Sequence, residues 1–494
     1  MSGHLAAGGP GRSLAQDGEI MADTNRLGMT RRQFLAGLVA GAATAHLRSL
    51  GKDSSPRLNV LFISSDDLNC SLGCYGNEVV KTPNIDRLAR RGVRFTHCYA
   101  QFASCAPSRF SFLSGWYPER TGVCTFGPKS RDGALRKAIY LPQHFRKSGY
   151  TTMRLDKIFH IGKDDAASWD ITEEPYRDAS GQFKAIWTGI EIKMLGLTDR
   201  VLREGRYDKV RGEKGPYAVL DVEDGDLFDG RNATRAVELL EQCARNGKPF
   251  FLGLGFRRPH LPWIAPKRYF DMYPPEKIPL PPADPNAAGP PRLTKTEHQE
   301  MIAHYYAAVT YLDTQVGRVL DALNNTGLAK NTVVVLFGDQ GYCLGERNGH
   351  FGKGTLWERS LIVPLIIAVP GQENAGGACE RVVELLDMYP TLVDLCGLPK
   401  PGVALQGRSL VPLLRDPQAA WEERAVSAWG RKDGQRPALS VRTARYRYTE
   451  KADGTPDELI DYRNDPYERE NLVDDPDHTE VRAKLRAILR QDRG

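Results

Sequence analysis

The run Ser104-Cys105-Ala106-Pro107-Ser108-Arg109 sets a thiol two residues ahead of a proline and four ahead of an arginine. Proline suits the first turn of a helix, so the spacing predicts a helix opening near Pro107. Free backbone N–H groups and the positive end of that helix would face whatever Cys105 carries, which suits an anionic substrate. Read alone, Cys105 is more readily one more small buried thiol. Three residues separate Cys105 from Arg109, which excludes a phosphatase loop of the Cys-x5-Arg kind.

Acids follow two apolar runs. Leu58 to Ser65 ends in Asp66-Asp67, and Thr332 to Gly338 ends in Asp339-Gln340. A lone Asp-Asp pair is commonly a turn or a helix cap. Two such pairs, each closing a buried strand, fit the rule that open α/β sheets carry sites beyond their strand C-termini. Asp66, Asp67, Asp339 and the Gln340 amide oxygen form an all-oxygen set for a hard cation, Ca²⁺ ahead of Mg²⁺. Two more strand-like runs lead into chemistry-bearing residues. Thr151 to Leu155 precedes Asp156-Lys157-Ile158-Phe159-His160, and Pro249 to Phe256 precedes Arg257-Arg258-Pro259-His260. His97, His144, His298, His304 and His478 stand in no such phrase and are read as surface or core residues; His350 stays open.

Strand and helix must alternate to position these ends. Helical patterns cover 84–91, 141–148, 231–246 and 294–325, a further strand 365–369 and a further helix 383–396. They predict an α/β catalytic domain over 56–418, with a large central mixed, mostly parallel sheet flanked by helices. Beyond 419, short runs at 425–429, 438–443 and 446–450 and a helix over 479–491 predict a small C-terminal α+β subdomain with an antiparallel sheet. Gly253-x-Gly255 lacks the third glycine of a dinucleotide loop and is read as strand packing.

A net charge of +6, from 67 basic and 61 acidic residues, gives no case for a nucleic-acid partner. The nine cysteines form no CxxC pair, and their odd number leaves at least one thiol unpaired. Residues 1–28 lack periodicity, and Met21 or Met29 offers a later start. Thr30-Arg31-Arg32-Gln33-Phe34-Leu35 then precedes a small apolar run, Ala36 to Ala45, ending in Ala-x-Ala. This reads as a twin-arginine export signal within 1–45, followed by a linker over 46–55. The apolar run falls short of the roughly 20 residues that span a bilayer, so an exported, periplasmic or extracellular protein without an integral membrane segment is expected.

Cys105-Ala-Pro-Ser-Arg109 with Thr121-Gly122 downstream resembles the signature of the type I sulfatases, of the alkaline phosphatase superfamily. Lys157 and His160 resemble the family's Gly-Lys-x-x-His element, with Asp156 in place of the glycine. His260, in Arg-Pro-His-Leu-Pro-Trp, resembles the Lys-Pro-His-x-Pro element of iduronate-2-sulfatase-like members, and Lys353 the Trp-Gly-Lys element. Leu459 to Leu472 resembles the family's C-terminal phrase. Gln340 stands where that subgroup often has histidine. The resemblance implies an alkaline-phosphatase-like fold and oxidation of Cys105 to formylglycine by a sulfatase-maturating enzyme before export. It implies one Ca²⁺ held by Asp66, Asp67, Asp339, Gln340 and the modified Cys105. Arg109, Lys157 and Lys353 would spread the sulfate charge, His260 would protonate the leaving alkoxide, and His160 would take the proton that releases sulfate. The expected substrate is a sulfated sugar or glycan, such as a 2-O-sulfated uronic acid. Two alternatives stay open: a phosphonate or phosphodiester hydrolase, and a non-catalytic binder of sulfated glycans with Cys105 unmodified.

Overall fold

The computed structural model describes residues 57–173, 191, 195–204, 217–282, 293–347, 349–430 and 436–491. The twin-arginine run, the linker and the second half of a proline-rich loop expected over 274–291 lie outside them.

Eight strands build the main sheet: β1 (Asn59–Ser65), β2 (Val93–Tyr99), β3 (Thr151–Leu155), β4 (Ile171–Glu173), β7 (Phe250–Phe256), β9 (Thr332–Gly338), β12 (Ile362–Ala368) and β13 (Ala378–Glu384). Their order is β13-β2-β12-β9-β1-β7-β3-β4. β12 runs antiparallel to both its neighbours, while the other adjacent pairs are parallel. β1 lies at the centre because both of its faces are apolar. Leu61 and Ile63 join one core, Val60 and Phe62 the other, and all four are 0% exposed. Among the described residues, the helices of seven residues or more are α1 (Pro83–Ala89), α2 (Cys105–Ser114), α3 (Leu141–Lys147), α4 (Phe228–Asn246), α5 (Lys295–Asn325), α6 (Met388–Leu395) and α7 (Thr479–Leu489). The 31-residue α5 starts at a capping box between Thr294 and Glu297.

A second, three-stranded sheet joins β5 (Val201–Glu204), β6 (Tyr217–Leu220) and β8 (Trp263–Pro266). A short hairpin, β10 (Cys343–Leu344) with β11 (Phe351–Gly352), leads to Lys353. The C-terminal antiparallel sheet runs β14 (Ala425–Trp429), β15 (Ala438–Arg442), β16 (Tyr446–Glu450) and β17 (Pro456–Asp461), with α7 beside it. A bridge from Phe102 to Ala428 and a bond from Val426 N–H to Glu384 Oε1 at 2.8 Å dock it beside the main sheet.

The mixed sheet and the antiparallel C-terminal sheet match expectation, with local corrections. The helix expected over 383–396 begins only at Met388, because Ala378–Glu384 pairs with β2 as a strand. Val382, Val383, Leu385 and Leu386 suit either period, and the vacant sheet edge decides. The strand expected at 365–369 is Ile362–Ala368. β2 and β17 were not anticipated: β2 alternates polar and apolar residues weakly, and β17 lies inside the C-terminal phrase.

Candidate active site

The C-terminal ends of β1, β3, β7 and β9 lie side by side, as the order β9-β1-β7-β3 requires. Asp66 and Asp67 leave β1, Lys157 and His160 leave β3, His260 leaves β7, and Asp339 and Gln340 leave β9. Two close approaches make this possible. A Cβ on Gly255 would lie 2.4 Å from the Lys157 carbonyl, so only glycine lets the β3 end rest on β7. Asp67 adopts a left-handed φ of 62°, and Tyr305 of α5 holds that turn by donating to the Asp67 carbonyl at 2.8 Å.

α2 begins at Cys105 itself, two residues before the expected start, with Ser104 extended ahead of it and Pro107 inside the first turn. All ten residues of α2 are buried. Ser108 Oγ donates to the Asp339 carbonyl at 2.5 Å, tying the helix to the end of β9. Arg109, 0% exposed, donates from Nε to Asp339 Oδ2 at 2.7 Å and from Nη1 to the carbonyls of Lys157 and Ile158. Its Nη2 has no partner.

Lysines close the ring. Lys157 Nζ donates to Asp66 Oδ2, and Lys353 Nζ to Asp67 Oδ1, which also accepts from Gln340 Nε2. The Asp67 N–H donates to Asp339 Oδ1 at 3.1 Å. His260 Nδ1–H donates to the Leu261 carbonyl at 2.6 Å, which turns Nε2 toward Asp67 Oδ2, 3.8 Å away. His160 Nδ1–H donates to the Ile161 carbonyl at 3.2 Å, and its ring lies 5.1 Å from that of Phe126, which is 51% exposed. Thus all ten residues singled out in the sequence meet at one rim of the sheet. Cys105 is among them: it feels the charges of Lys353, Lys157, Asp66 and Asp339.

The electrostatics follow from burial against pairing. Burial pushes the Cys105 thiol up, against the pull of Lys353 and Lys157. Burial opposes the charge of Asp66, yet Lys157, with His260, Lys353 and Arg109 behind it, holds that carboxyl well below the usual carboxylate range. Burial drives Asp339 up, although Arg109 works against it. His160 is pushed down to about 2, first by burial and then by Lys157. Burial also lowers His260, with Asp66 and Asp67 opposing.

The site suits a divalent cation by its own chemistry. Asp66 Oδ1 and Gln340 Oε1 are buried oxygens without a hydrogen-bond partner. Carboxylate oxygens of Asp66 and Asp67 and a ring nitrogen of His260 fall within 4.8 Å of one another. Three carboxylates face three cations, Arg109, Lys157 and Lys353, so a bound divalent ion leaves the site positive and ready for an anion.

Three supports of this ring carry no signal in the sequence as supports: Tyr305 under the Asp67 turn, Asp229, which accepts the N–H groups of Arg257 and Arg258, and Arg257, which donates to Asp156. Ser108 lies within the signature run and Asp156 in place of a glycine, but neither position told what the side chain holds.

An alkaline-phosphatase-like sheet whose rim gathers carboxylates, lysines and a buried arginine around a helix-start thiol defines a hydrolase of tetrahedral anionic esters. The comparisons with known proteins specify which. The sulfatase family model matches residues 58–398, and the model for the C-terminal part of N-sulphoglucosamine sulphohydrolase matches 345–494. A sulfatase from Formosa agariphila is 33% identical over 87% of this chain and 85% of its own length. The mouse iduronate 2-sulfatase is 33% identical over 75% of this chain and 74% of its own. The phosphonate monoester hydrolase of Agrobacterium radiobacter shares the fold, with a TM-score of 0.73 at 24% identity over 88% of this chain and 95% of that one. The chain belongs to the sulfatase family as a type I sulfatase with iduronate 2-sulfatases among its relatives, a sulfuric ester hydrolase. Among the described residues no helix is long and apolar enough to cross a membrane.

Proposed function

We propose that the chain hydrolyses the sulfate ester of a sugar or glycan, such as a 2-O-sulfated uronic acid, using formylglycine formed from Cys105. The observation that carries this reading is the set of three unpartnered buried atoms, Asp66 Oδ1, Gln340 Oε1 and Arg109 Nη2, at the rim that also holds Cys105. Oxygens in that set call for a cation, and a guanidinium N–H calls for an anion.

Asp66, Asp67, Asp339, Gln340 and the modified position 105 would hold one Ca²⁺. That ion and the hydrated aldehyde together supply an activated oxygen nucleophile and a route to expel sulfate without water attacking sulfur. Arg109 offers Nη2 to a sulfate oxygen, while its other nitrogens stay fixed on Asp339 and the β3 turn. Lys157 and Lys353 spread the charge that builds on the sulfate oxygens. His260, its orientation set by the Leu261 carbonyl, turns Nε2 toward the leaving sugar oxygen to deliver a proton there, Asp66 and Asp67 working against the burial that lowers it. His160, uncharged with Nδ1–H engaged, presents a bare Nε2 that accepts a proton as sulfate departs.

Maturation by a formylglycine-generating enzyme and twin-arginine export complete the reading, and support for both comes from sequence. Sulfate release from an aryl sulfate and from 2-O-sulfated uronic acid disaccharides, beside turnover of an aryl phosphonate monoester, tests it. Sulfate ester turnover should dominate. Preference for the phosphonate overturns the assignment to sulfur, and no turnover of any of them by protein carrying formylglycine overturns catalysis.

A further inference from the structure

Asp156 stands where the resemblance has glycine, and the backbone there keeps a glycine-like shape, with φ at 54°. Aspartate is one of the few residues that tolerate this region. Its side chain, however, does something glycine cannot.

The Asp156 carboxylate is buried, 2% exposed. Its Oδ2 accepts from Arg257 Nε at 3.0 Å and from Asn232 Nδ2 at 2.9 Å. Arg257 opens the turn after β7, and the His260 N–H closes that turn on the Arg257 carbonyl at 2.8 Å. Asp229, one turn before Asn232 on α4, accepts the backbone N–H groups of Arg257 and Arg258 at 3.0 and 2.9 Å. Asp156 is also the immediate neighbour of Lys157, whose backbone lies against Gly255 and under the Arg109 guanidinium. One carboxylate thus ties the turn that carries Lys157 to the turn that carries His260, and both to α4.

We propose that Asp156 is a positioning residue, a strut that sets where Lys157 stands relative to His260 and so registers charge stabilisation at sulfate with proton delivery to the leaving oxygen. This rests on the roles assigned above to Lys157 and His260. Buried and hydrogen-bonded at both ends, the Asp156–Arg257 pair allows little play, and displacement of a catalytic group by about 1 Å costs on the order of 100-fold in rate.

The test compares Asp156→Gly with Asp156→Asn in mature enzyme on an aryl sulfate, reading kcat, KM and Tm. Glycine keeps the backbone shape and removes the strut, whereas asparagine tolerates the same φ and keeps an acceptor for Arg257. The expected result is a kcat about 10- to 100-fold lower for the glycine variant with KM moved less than about threefold, and kcat within about threefold of wild type for asparagine. If glycine lowers Tm while kcat stays at the wild-type value, Asp156 only stabilises the fold and the proposal is overturned. An asparagine variant as slow as the glycine one also overturns it, since the charge and not the tether then matters. Should the glycine variant not fold, Asn232→Ala removes the second grip on the same carboxylate. A kcat about 3- to 10-fold lower at steady KM supports the strut, and an unchanged kcat overturns it. Wild-type turnover in the same assay separates failure of this proposal from failure of the sulfatase reading itself.

Discussion

Arg109 and Arg447 are both fully buried, and the protein treats them differently. Arg447, on β16, donates Nε to Glu468 at 2.9 Å and to Tyr462 at 3.1 Å, Nη1 to Thr449 at 2.9 Å and Nη2 to Glu458 at 3.0 Å. Every nitrogen is engaged, and the pair of glutamates extends the network to Arg347 and to the backbone N–H of Glu358, just beyond Lys353. Arg109 has an equally closed environment but leaves Nη2 unpaired, and in the same rim Asp66 Oδ1 and Gln340 Oε1 are unpaired as well. Leaving a buried polar group unmatched costs about 1–3 kcal/mol. A fold that satisfies one buried arginine completely and another incompletely marks the second as waiting for something else to bind.

That contrast can be broken most sharply at Cys105. Cys105→Ala removes the group on which the incomplete cluster converges, and turnover should fall by on the order of 10⁴-fold or more, with little change in Tm. Arg109→Lys should come next. An ammonium cannot hold Asp339, two carbonyls and a substrate oxygen together, so kcat should fall about 10²- to 10³-fold. Arg447→Met should do the reverse. Leaving Glu458 and Glu468 buried without their cation should cost about 3–5 kcal/mol of stability, read as a lower denaturant midpoint. The protein that stays folded should keep kcat within about threefold. An Arg447 variant that is stable but inactive would contradict the division of labour between the two regions.

Acid offers a gentler comparison. The folded protein holds His160 uncharged down to about pH 2, first by burial and then by Lys157, whereas in the unfolded chain a histidine takes up a proton below about 6.5. The unfolded state therefore binds more protons, and the stability this site contributes is present above pH 6.5 and lost as pH falls from there, by up to about 1.4 kcal/mol per unit. Burial raises Glu358 and Glu458 in the C-terminal network, but Arg442 and Arg447 overcome it and hold both below the usual range. Those contributions are intact above about pH 4.5 and are lost as pH falls from there toward the lowered folded values. Chemical denaturation at pH 7 and pH 5 should show the loss in wild type and a shallower one in His160→Gln. Equal slopes in the two proteins would contradict a neutral His160.

Much of this was legible in the chain because both levels of pattern are strong. β1, β7 and β9 are short apolar runs and β3 a mixed one, all end abruptly in charge, and most of the residues the rim collects stand at those ends. The sequence was silent where side chains act through geometry alone. Nothing in the pattern tells that Tyr305, deep in α5, supports the Asp67 turn, or that Arg257 is neutralised by Asp156 and unavailable as a surface charge. The overrun of the 383–396 helix onto β13 has the same origin, since pairing with β2 is a long-range contact that local apolar spacing cannot report.

The account stands or falls on what residue 105 becomes. Peptide mass spectrometry of the mature, active protein should find the Cys105 peptide lighter by ~18 Da, the exchange of a thiol for an aldehyde oxygen. An intact cysteine in protein that still releases sulfate would contradict it.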